Sequence, residues 1–587
     1  MNHQKKQRHF LTAVILLTVL FMSVSCITNI PQNCGEPYVA VEPAYKVPTP
    51  VTDMEARKIA RDEILASLRL NPQRFHPNSN GYPVMPKPYW LRDHIHATRG
   101  TKYYNDFLIG FLDYCLTNQF EDGFVPEIVT GINGPDNNHY DFVGETQRKI
   151  VNEHKMIRLQ VEADIEYLTA EAVFQIWQAT GNDEWMISML PYLQKAIDYL
   201  LKHPIRFNKE HGLVMRPFTI DTWDFCYVGD NRMVNPNDPM TIMHGDNSGV
   251  YQALNIMAFF YDYIGEMDKA KVSRNKAEKI MENMFKYLWN GKFFIHQLHL
   301  NSTGANEETQ EDENNRLSLS NTNDITRGVT NLSQSRSIIE TYMERFVQNG
   351  DFAEWYSIDP PYEQFKRQPR DRYINGGLLL FVGAELARAA FHNGYETYGY
   401  DLILRMEKTI ADKGLSFFYD KHGEPRSGSN WWGPPIWGAG IYASALNEGL
   451  YGVVDRFKLF RHVHFSPKLV VADITSEFVE VEYAIGNYTP LKGDKTESMG
   501  RGFVKYQYNA DKKGQTYHIE STTLKFDAHI LLPAGKMAKS VRVDGKKVVF
   551  RNTKVAESPY VDFTFENTDG KGSYQNSIKI LYKDQYK

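Results

Sequence analysis

From Asp53 to about Asp455, apolar residues recur three and four positions apart, the spacing that lines one face of an α-helix. The period predicts helices from Glu55 to Leu70, Asp164 to Thr180, Trp185 to His203, Ser248 to Ile264, Ser335 to Val347, Gly376 to Asn393, Tyr398 to Ala411 and Gly438 to Tyr451. Several are joined by short turns such as Gly181-Asn182-Asp183 and His392-Asn393-Gly394, so the helices are expected as antiparallel hairpins, about ten helices in all. From about Phe457 the texture changes. Leu469-Val470-Val471-Ala472, Phe478 to Tyr483 and Ser577 to Tyr582 alternate or run β-branched between turns such as Gly545-Lys546-Lys547, which predicts a β-sandwich. The expected division is a mainly α domain over 51–455 and a β-sandwich over 456–587. Asn301 to Asn323 is polar and reads as a mobile surface excursion.

The N-terminus predicts the compartment. Lys5, Lys6 and Arg8 precede an apolar run from Leu11 to Val24 that ends at Ser25-Cys26. The run is too short for a membrane span and reads as a signal peptide over 1–26. A cysteine at the cleavage point resembles a bacterial lipobox, with Cys26 as the lipidated residue, although Ser23 stands where that pattern wants Leu or Val. The resemblance implies a lipid-anchored protein of the bacterial cell envelope, in the outer membrane or periplasm; ordinary secretion and a retained anchor are the alternatives. Residues 27–50, rich in Pro, Asn and Thr, read as a tether. A net charge of −5 argues against a nucleic-acid partner. Aromatic residues make up 13%, with 35 Tyr and 9 Trp, which suits stacking on carbohydrate and equally suits a large aromatic core. The four cysteines, Cys26, Cys34, Cys115 and Cys226, show neither metal-ligand spacing nor a disulfide framework; Cys115 and Cys226 read as buried thiols, and no metal or cofactor is expected.

Asp221-Thr222-Trp223-Asp224 places two carboxylates around an indole, where one carboxyl can protonate a leaving sugar oxygen and the aromatic face can hold a ring. Tyr89-Trp90-Leu91-Arg92-Asp93 offers the five fixed N–H donors of Arg92 beside an acceptor, Asp93; the plainer reading is an ion pair at a helix start. In His244-Gly245-Asp246-Asn247-Ser248, Asp246 or Asn247 is either a helix N-cap or a second carboxylate facing a cavity. Trp431-Trp432-Gly433-Pro434-Pro435-Ile436-Trp437 is the densest aromatic cluster, expected to line a pocket or to pack against the β-domain.

Four of these segments together resemble the six-hairpin, (α/α)6-barrel glycosidases, the glucoamylases, trehalases and α-L-rhamnosidases. Tyr89 to Asp93 is similar to the aromatic-x-Arg-Asp signature that grips the terminal sugar. Gln119 to Glu127 looks like the loop after the second hairpin helix. Asp221 to Asp224 resembles the trehalase-type segment whose Asp after Trp is the general acid, and Tyr373-Ile374-Asn375-Gly376-Gly377 resembles the opening of a late barrel helix. The resemblance implies an (α/α)6 toroid, an exo-acting and inverting glycoside hydrolase, Asp224 as acid, and a carbohydrate held by Trp90, Arg92, Asp93, Asp221, Trp223, His244, Arg372, Tyr373, Asn375, Trp431, Trp432 and Trp437. One departure stands out. Leu415 to Asp420 lacks the Glu that serves as base in trehalase relatives, so the base falls to Glu127, Asp246, Glu354 or Glu424. Two other classes stay open. One is a polysaccharide lyase using Arg372, Tyr373 and His244; the other is a non-catalytic surface glycan-binding protein.

Overall fold

The computed structural model describes residues 54–69, 89–104, 109–132, 148–151, 154–221, 234, 238–300, 313–363, 365, 369–425, 436–484, 500–568 and 572–585. The expected signal peptide, Cys26 and the tether lie outside them. Twelve α-helices appear among the described residues. They are α1 (Met54–Arg69), α2 (Leu91–Thr101), α3 (Ile109–Thr117), α4 (Ile165–Thr180), α5 (Asp183–Lys202), α6 (His244–Tyr263), α7 (Met267–Tyr287), α8 (Ser320–Thr326), α9 (Leu332–Asn349), α10 (Leu380–His392), α11 (Glu396–Lys413) and α12 (Ile436–Ser444). A π-helical stretch, Ala445–Leu450, continues α12. No described helix is long and apolar enough to cross a membrane.

Burial sorts the helices into two sets. Every residue of α12, and every residue of α4 except Gln175, is buried, whereas α7 buries only Ala270, Ser273, Ala277, Ile280, Asn283 and Met284. A helix covered all round sits inside; one with a single buried stripe sits outside. The inner set follows in contact: α2 packs on α4, α4 on α6, α6 on α8, α8 on α10, α10 on α12, and α12 back on α2. The last contact is backbone to backbone. A Cβ built on Gly100 would lie 2.6 Å from the Gly440 Cα, so only glycine allows that approach. Each inner helix also packs against an outer one: α2 on α3, α4 on α5, α6 on α7, α8 on α9, α10 on α11, and α12 on α1. Helix α1 is tied to α11 by Arg57 and Arg61, whose Nε atoms donate to the buried Glu407 carboxylate at 2.7 and 2.8 Å.

The C-terminal region is a pair of sheets. Val453–Asp455, His462–Phe465, Lys525–Leu531, Ser558–Glu566 and Arg551–Val555 form one in that order; Ser476–Glu482, Phe503–Asp511, Gly514–Ser521, Tyr574–Asp584, Lys536–Val543 and Lys546–Lys547 form the other. Phe465 packs edge-on against Tyr506, Tyr517 and Phe526 between them. The β region docks on the helices through polar contacts: Leu459 N–H donates to Gln178 O (2.7 Å), and the Tyr560 hydroxyl donates to Glu396 at the start of α11 (2.6 Å).

The structure differs from the sequence expectation at several elements. Leu469–Ala472 is a 3-10 turn and not a strand. The helix expected from Gly376 begins at Leu380, because Tyr373 (φ 48°) and Gly376 (φ 96°) take left-handed backbone conformations that no helix continues through. The polar stretch expected as a surface excursion ends in α8, where Ser320, Asn321, Thr322 and Asp324 are buried.

Candidate active site

Short strands lead straight into the inner helices. Tyr89–Trp90 precedes α2, Met240–Met243 precedes α6, Leu317–Ser318 lies just before α8, and Leu378–Leu379 precedes α10. Helix starts carry unpaired N–H groups and partial positive charge, so carboxylates collect there. Acidic side chains occupy the first turns of α2, α4 and α6 as Asp93, Glu166 and Asp246.

At the starts of α2 and α4 these charges form a buried network. Arg92 donates from Nε and Nη2 to Asp164 at 2.5 and 2.8 Å, and its Nη2 lies 2.5 Å from Glu162. Arg158 pairs with Glu166 (2.9 Å), Glu127 (3.0 Å) and Glu162 (3.5 Å). Glu127 also accepts from the Leu159 N–H at 3.0 Å. Burial, and then the neighbouring Glu162 carboxylate, push Glu127 well above the usual carboxylate range. Asp164 is held low: burial opposes its charge, and Arg92 outweighs burial.

Arg92 therefore does not present its guanidinium edge as an open sugar grip; Asp164 and Glu162 occupy it. Trp90 and Asp93, half-buried at the same helix start, are the parts of that motif with surface left to offer. Arg92→Ala would strand two buried carboxylates. We expect it to lower unfolding stability by about 3–5 kcal/mol, read from guanidinium chloride melts. An unchanged midpoint would show that Arg92 is not their counter-ion.

The second part of the site joins α6 to α8. Asp221 adopts φ 46° and accepts from the Ser320 backbone N–H (3.1 Å) and hydroxyl (2.6 Å), capping α8 from outside that helix. Its own N–H donates to His296 Nε2 at 2.9 Å. Gly245 makes room: a Cβ there would meet Ser320 Oγ at 2.3 Å and Asp221 Oδ1 at 2.9 Å. His244 bridges Asp324 (Nδ1 to Oδ2, 2.5 Å) and Ser318 (Nε2 to Oγ, 2.7 Å). Burial opposes a charge on His244, but Asp324 outweighs it and raises the imidazole above its ordinary value.

Asp246 accepts from the Tyr167 hydroxyl at 3.4 Å and faces Arg216 at 3.6 Å, while its Oδ2 has no partner. Burial raises its carboxyl to about 6; Arg216 pulls it down, and Asp164 and Asp221 push it up. Neither reading of this stretch as an N-cap fits. The helix starts at His244, and Asn247 spends its amide on Val214 and Met243.

The other expected residues lie elsewhere or are occupied. Both oxygens of Glu354 are held by Arg405 of α11 at 2.7 Å, and Tyr398 donates to it at 2.6 Å, a placement that ties it to the outer layer rather than to a reacting sugar. Glu424 is exposed and paired with Lys413. Asn375 clamps the backbone of Tyr362 at 2.8 and 3.0 Å, Tyr373 is buried, and Arg372 is exposed. Trp437 is sandwiched between His96 (4.1 Å) and Phe381 (4.3 Å), so neither face is open to a sugar. Thr222, Trp223, Asp224, Trp431 and Trp432 lie outside the described residues. Sequence reasoning passed over Arg158, Glu162, Asp164, Arg206 and Arg216. The charge density of Arg158 to Glu166, set directly before an apolar helix, was the signal for the first three. Among the described residues, no three His, Cys, Asp or Glu side chains group as a metal site requires.

No family model matches this chain, and no curated protein matches it in sequence. Solved structures of similar fold include an α-L-rhamnosidase from Dictyoglumus thermophilum, at TM-score 0.53 and 11% identity over 93% of this chain and 52% of its own. A sialidase aligns at TM-score 0.50 and 11% identity over 93% of this chain and 44% of its own. The likeness is one of fold. The chain spans about half the length of the rhamnosidase it matches.

Proposed function

We propose that this protein is an exo-acting glycoside hydrolase built on an (α/α)6 toroid, with its site at the end of the ring where the inner helices begin. The observation that carries the reading is the succession of six inner helices, each backed by an outer partner and the last packed on the first. Their starts gather buried carboxylates and arginines at one end. Such an end is a natural place for a pocket, and the rhamnosidase and sialidase of similar fold are both named for cleaving glycosides. An enclosed set of polar groups suits one terminal ring better than the middle of a chain.

In this reading Asp224 is the general acid. It follows Trp223 three residues after Asp221, the residue clamped on α8. Asp246 is the base: of the carboxylates considered for that role it keeps an unpartnered oxygen, and a carboxyl near 6 is ionised at neutral pH yet basic enough to take a proton from water. Glu127 and Glu354 are engaged in ion pairs. Direct attack by that water inverts the anomeric centre. An inverting pair stands about 6.5–9.5 Å apart to admit the water.

Incubation with a panel of plant and host oligosaccharides, followed by analysis of released monosaccharides, tests the activity; no released sugar from any member would sink it. Proton NMR of the first product formed is expected to show the opposite anomer from the substrate. A retained anomer would replace the water by a covalent glycosyl-enzyme and remove Asp246 as base.

A further inference from the structure

Arg206 is a buried cation without a carboxylate of its own. It lies in the turn after α5 and is fully shielded from water. Its Nη2 donates to the carbonyl oxygens of Gln160 and Glu162, the stretch whose Glu162 side chain reaches Arg92. Its Nε and Nη1 find no hydrogen-bond partner. The charged groups that act on it are mixed. Burial lowers its proton affinity, Arg158 and Arg216 add to that, and Tyr199 and Glu166 oppose it. Glu166 is engaged with Arg158 at 2.9 Å and with the Val125 N–H at 3.1 Å, so it does not neutralise Arg206. A buried guanidinium left in this state is strongly unfavourable unless another group brings an opposing charge.

Three features say what that group is. The open donors, Nε–H and Nη1–H, belong to a permanently charged group and call for an anionic acceptor. Arg216, fully buried and close enough to act on Arg206, adds a second positive charge 3.6 Å from Asp246. Asp246 feels both arginines and keeps Oδ2 unpartnered, an acceptor for a hydroxyl on the same ligand. Two buried guanidiniums beside a lone acceptor match a sugar bearing both a carboxylate and hydroxyls.

We propose that Arg206, supported by Arg216, binds the carboxylate of an acidic sugar, a uronic-acid type of ring, at the end of the helical ring where Asp246 lies. This rests on the glycosidase reading for the location of the sugar site, and it adds the substrate class.

Binding tests it independently of turnover. With the wild-type protein, glucuronate and galacturonate are expected to raise the melting temperature and to give measurable calorimetric affinity. Glucose, galactose and the uronate methyl esters, at equal concentration, are expected to do neither. Equal protection by the neutral sugars overturns the proposal. Equal protection by acetate or chloride assigns the site to a free anion and overturns it as well.

Arg206→Gln should weaken uronate binding at least tenfold. On any uronide the enzyme cleaves, it should lower kcat/KM by at least about a hundredfold, the scale seen when a built polar site loses its partner, with neutral glycosides held within a few-fold. Arg206→Lys keeps the charge without the guanidinium's spread of donors and should bind between the two. If neither variant folds, the wild-type comparison of acid with methyl ester decides alone. A protein that binds uronates but cleaves no glycoside would leave this proposal standing and remove the hydrolase reading. One that cleaves only neutral glycosides, with Arg206→Gln unaffected, would do the reverse.

Discussion

Asp224→Asn is expected to lower kcat by at least about a hundredfold, the contribution of a positioned general acid, with little change in stability. The assignment rests on the sequence, where Asp224 directly follows Trp223, and on the anchoring of the residues just before it. Asp221 takes up a left-handed conformation and gives both oxygens to the start of α8. Strain of that kind persists where surrounding contacts fix it and is common at functional sites. An amide cannot donate the acidic proton, yet it fills the same volume. Substrates with a good leaving group, such as aryl glycosides, need less protonation and should lose less activity than native-type linkages. Wild-type turnover on an unactivated linkage would remove Asp224 from the mechanism.

Asp246→Asn should act in two directions at once, abolishing most of the activity while stabilising the fold at neutral pH. The ordinary carboxyl value is 3.8, and the folded protein raises it to about 6. A folded value above the unfolded one means the native state holds the proton more tightly. Stability is then full below 3.8 and declines as the pH climbs to about 6, above which the ionised carboxylate is a constant cost. The gap corresponds to about 3 kcal/mol. Asparagine mimics the neutral form, so the variant should gain up to that amount at pH 7 and almost nothing at pH 3.5. The acid limb of the kcat/KM profile, expected near pH 6 in the wild type, should vanish with it. Calorimetric melts at the two pH values, with kinetics on the same samples, check both halves. A less stable variant at pH 7 would mean that the pairing with Arg216 outweighs burial. An active one would mean that the base lies elsewhere.

The change from helical to alternating period was plain in the sequence, and with it the order of a helical domain and a β-rich one. Helices α4 and α10 could be read directly because they are almost wholly buried and mostly apolar. Helices α2 and α8 could not. Leu91–Thr101 carries two arginines, two histidines and an aspartate, and Ser320–Thr326 is almost wholly polar. Both are interior all the same, because their polar groups find partners on other inner helices: Arg99 reaches Glu171 of α4 at 2.6 Å and Glu385 of α10 at 3.1 Å. Hydrophobic period registers burial only when burial is apolar. Outer helix α7 was missed for a different reason, since much of its buried stripe is Ala270, Ser273 and Ala277, too small to mark a face. For the site, sequence named Asp246 and Asp221 but not what surrounds them. Trp437 shows the limit: a tryptophan beside glycines and prolines looks like a sugar platform until both faces prove covered.

Helix α1 has a consequence for how the protein is made. It is synthesised before the rest of the helical domain, yet its apolar stripe of Ala56, Ala60, Ile64 and Leu68 is covered by α11 and α12, and Arg57 waits for Glu407, 350 residues later. On the ribosome every hairpin from α2 to α9 can emerge while that stripe is still bare. A chain stopped anywhere before α11 keeps both an unsatisfied α1 and an unclosed ring. Docking of α1 is thus a late step in building the helical domain, one that waits for α11 and α12 however early α1 itself has formed.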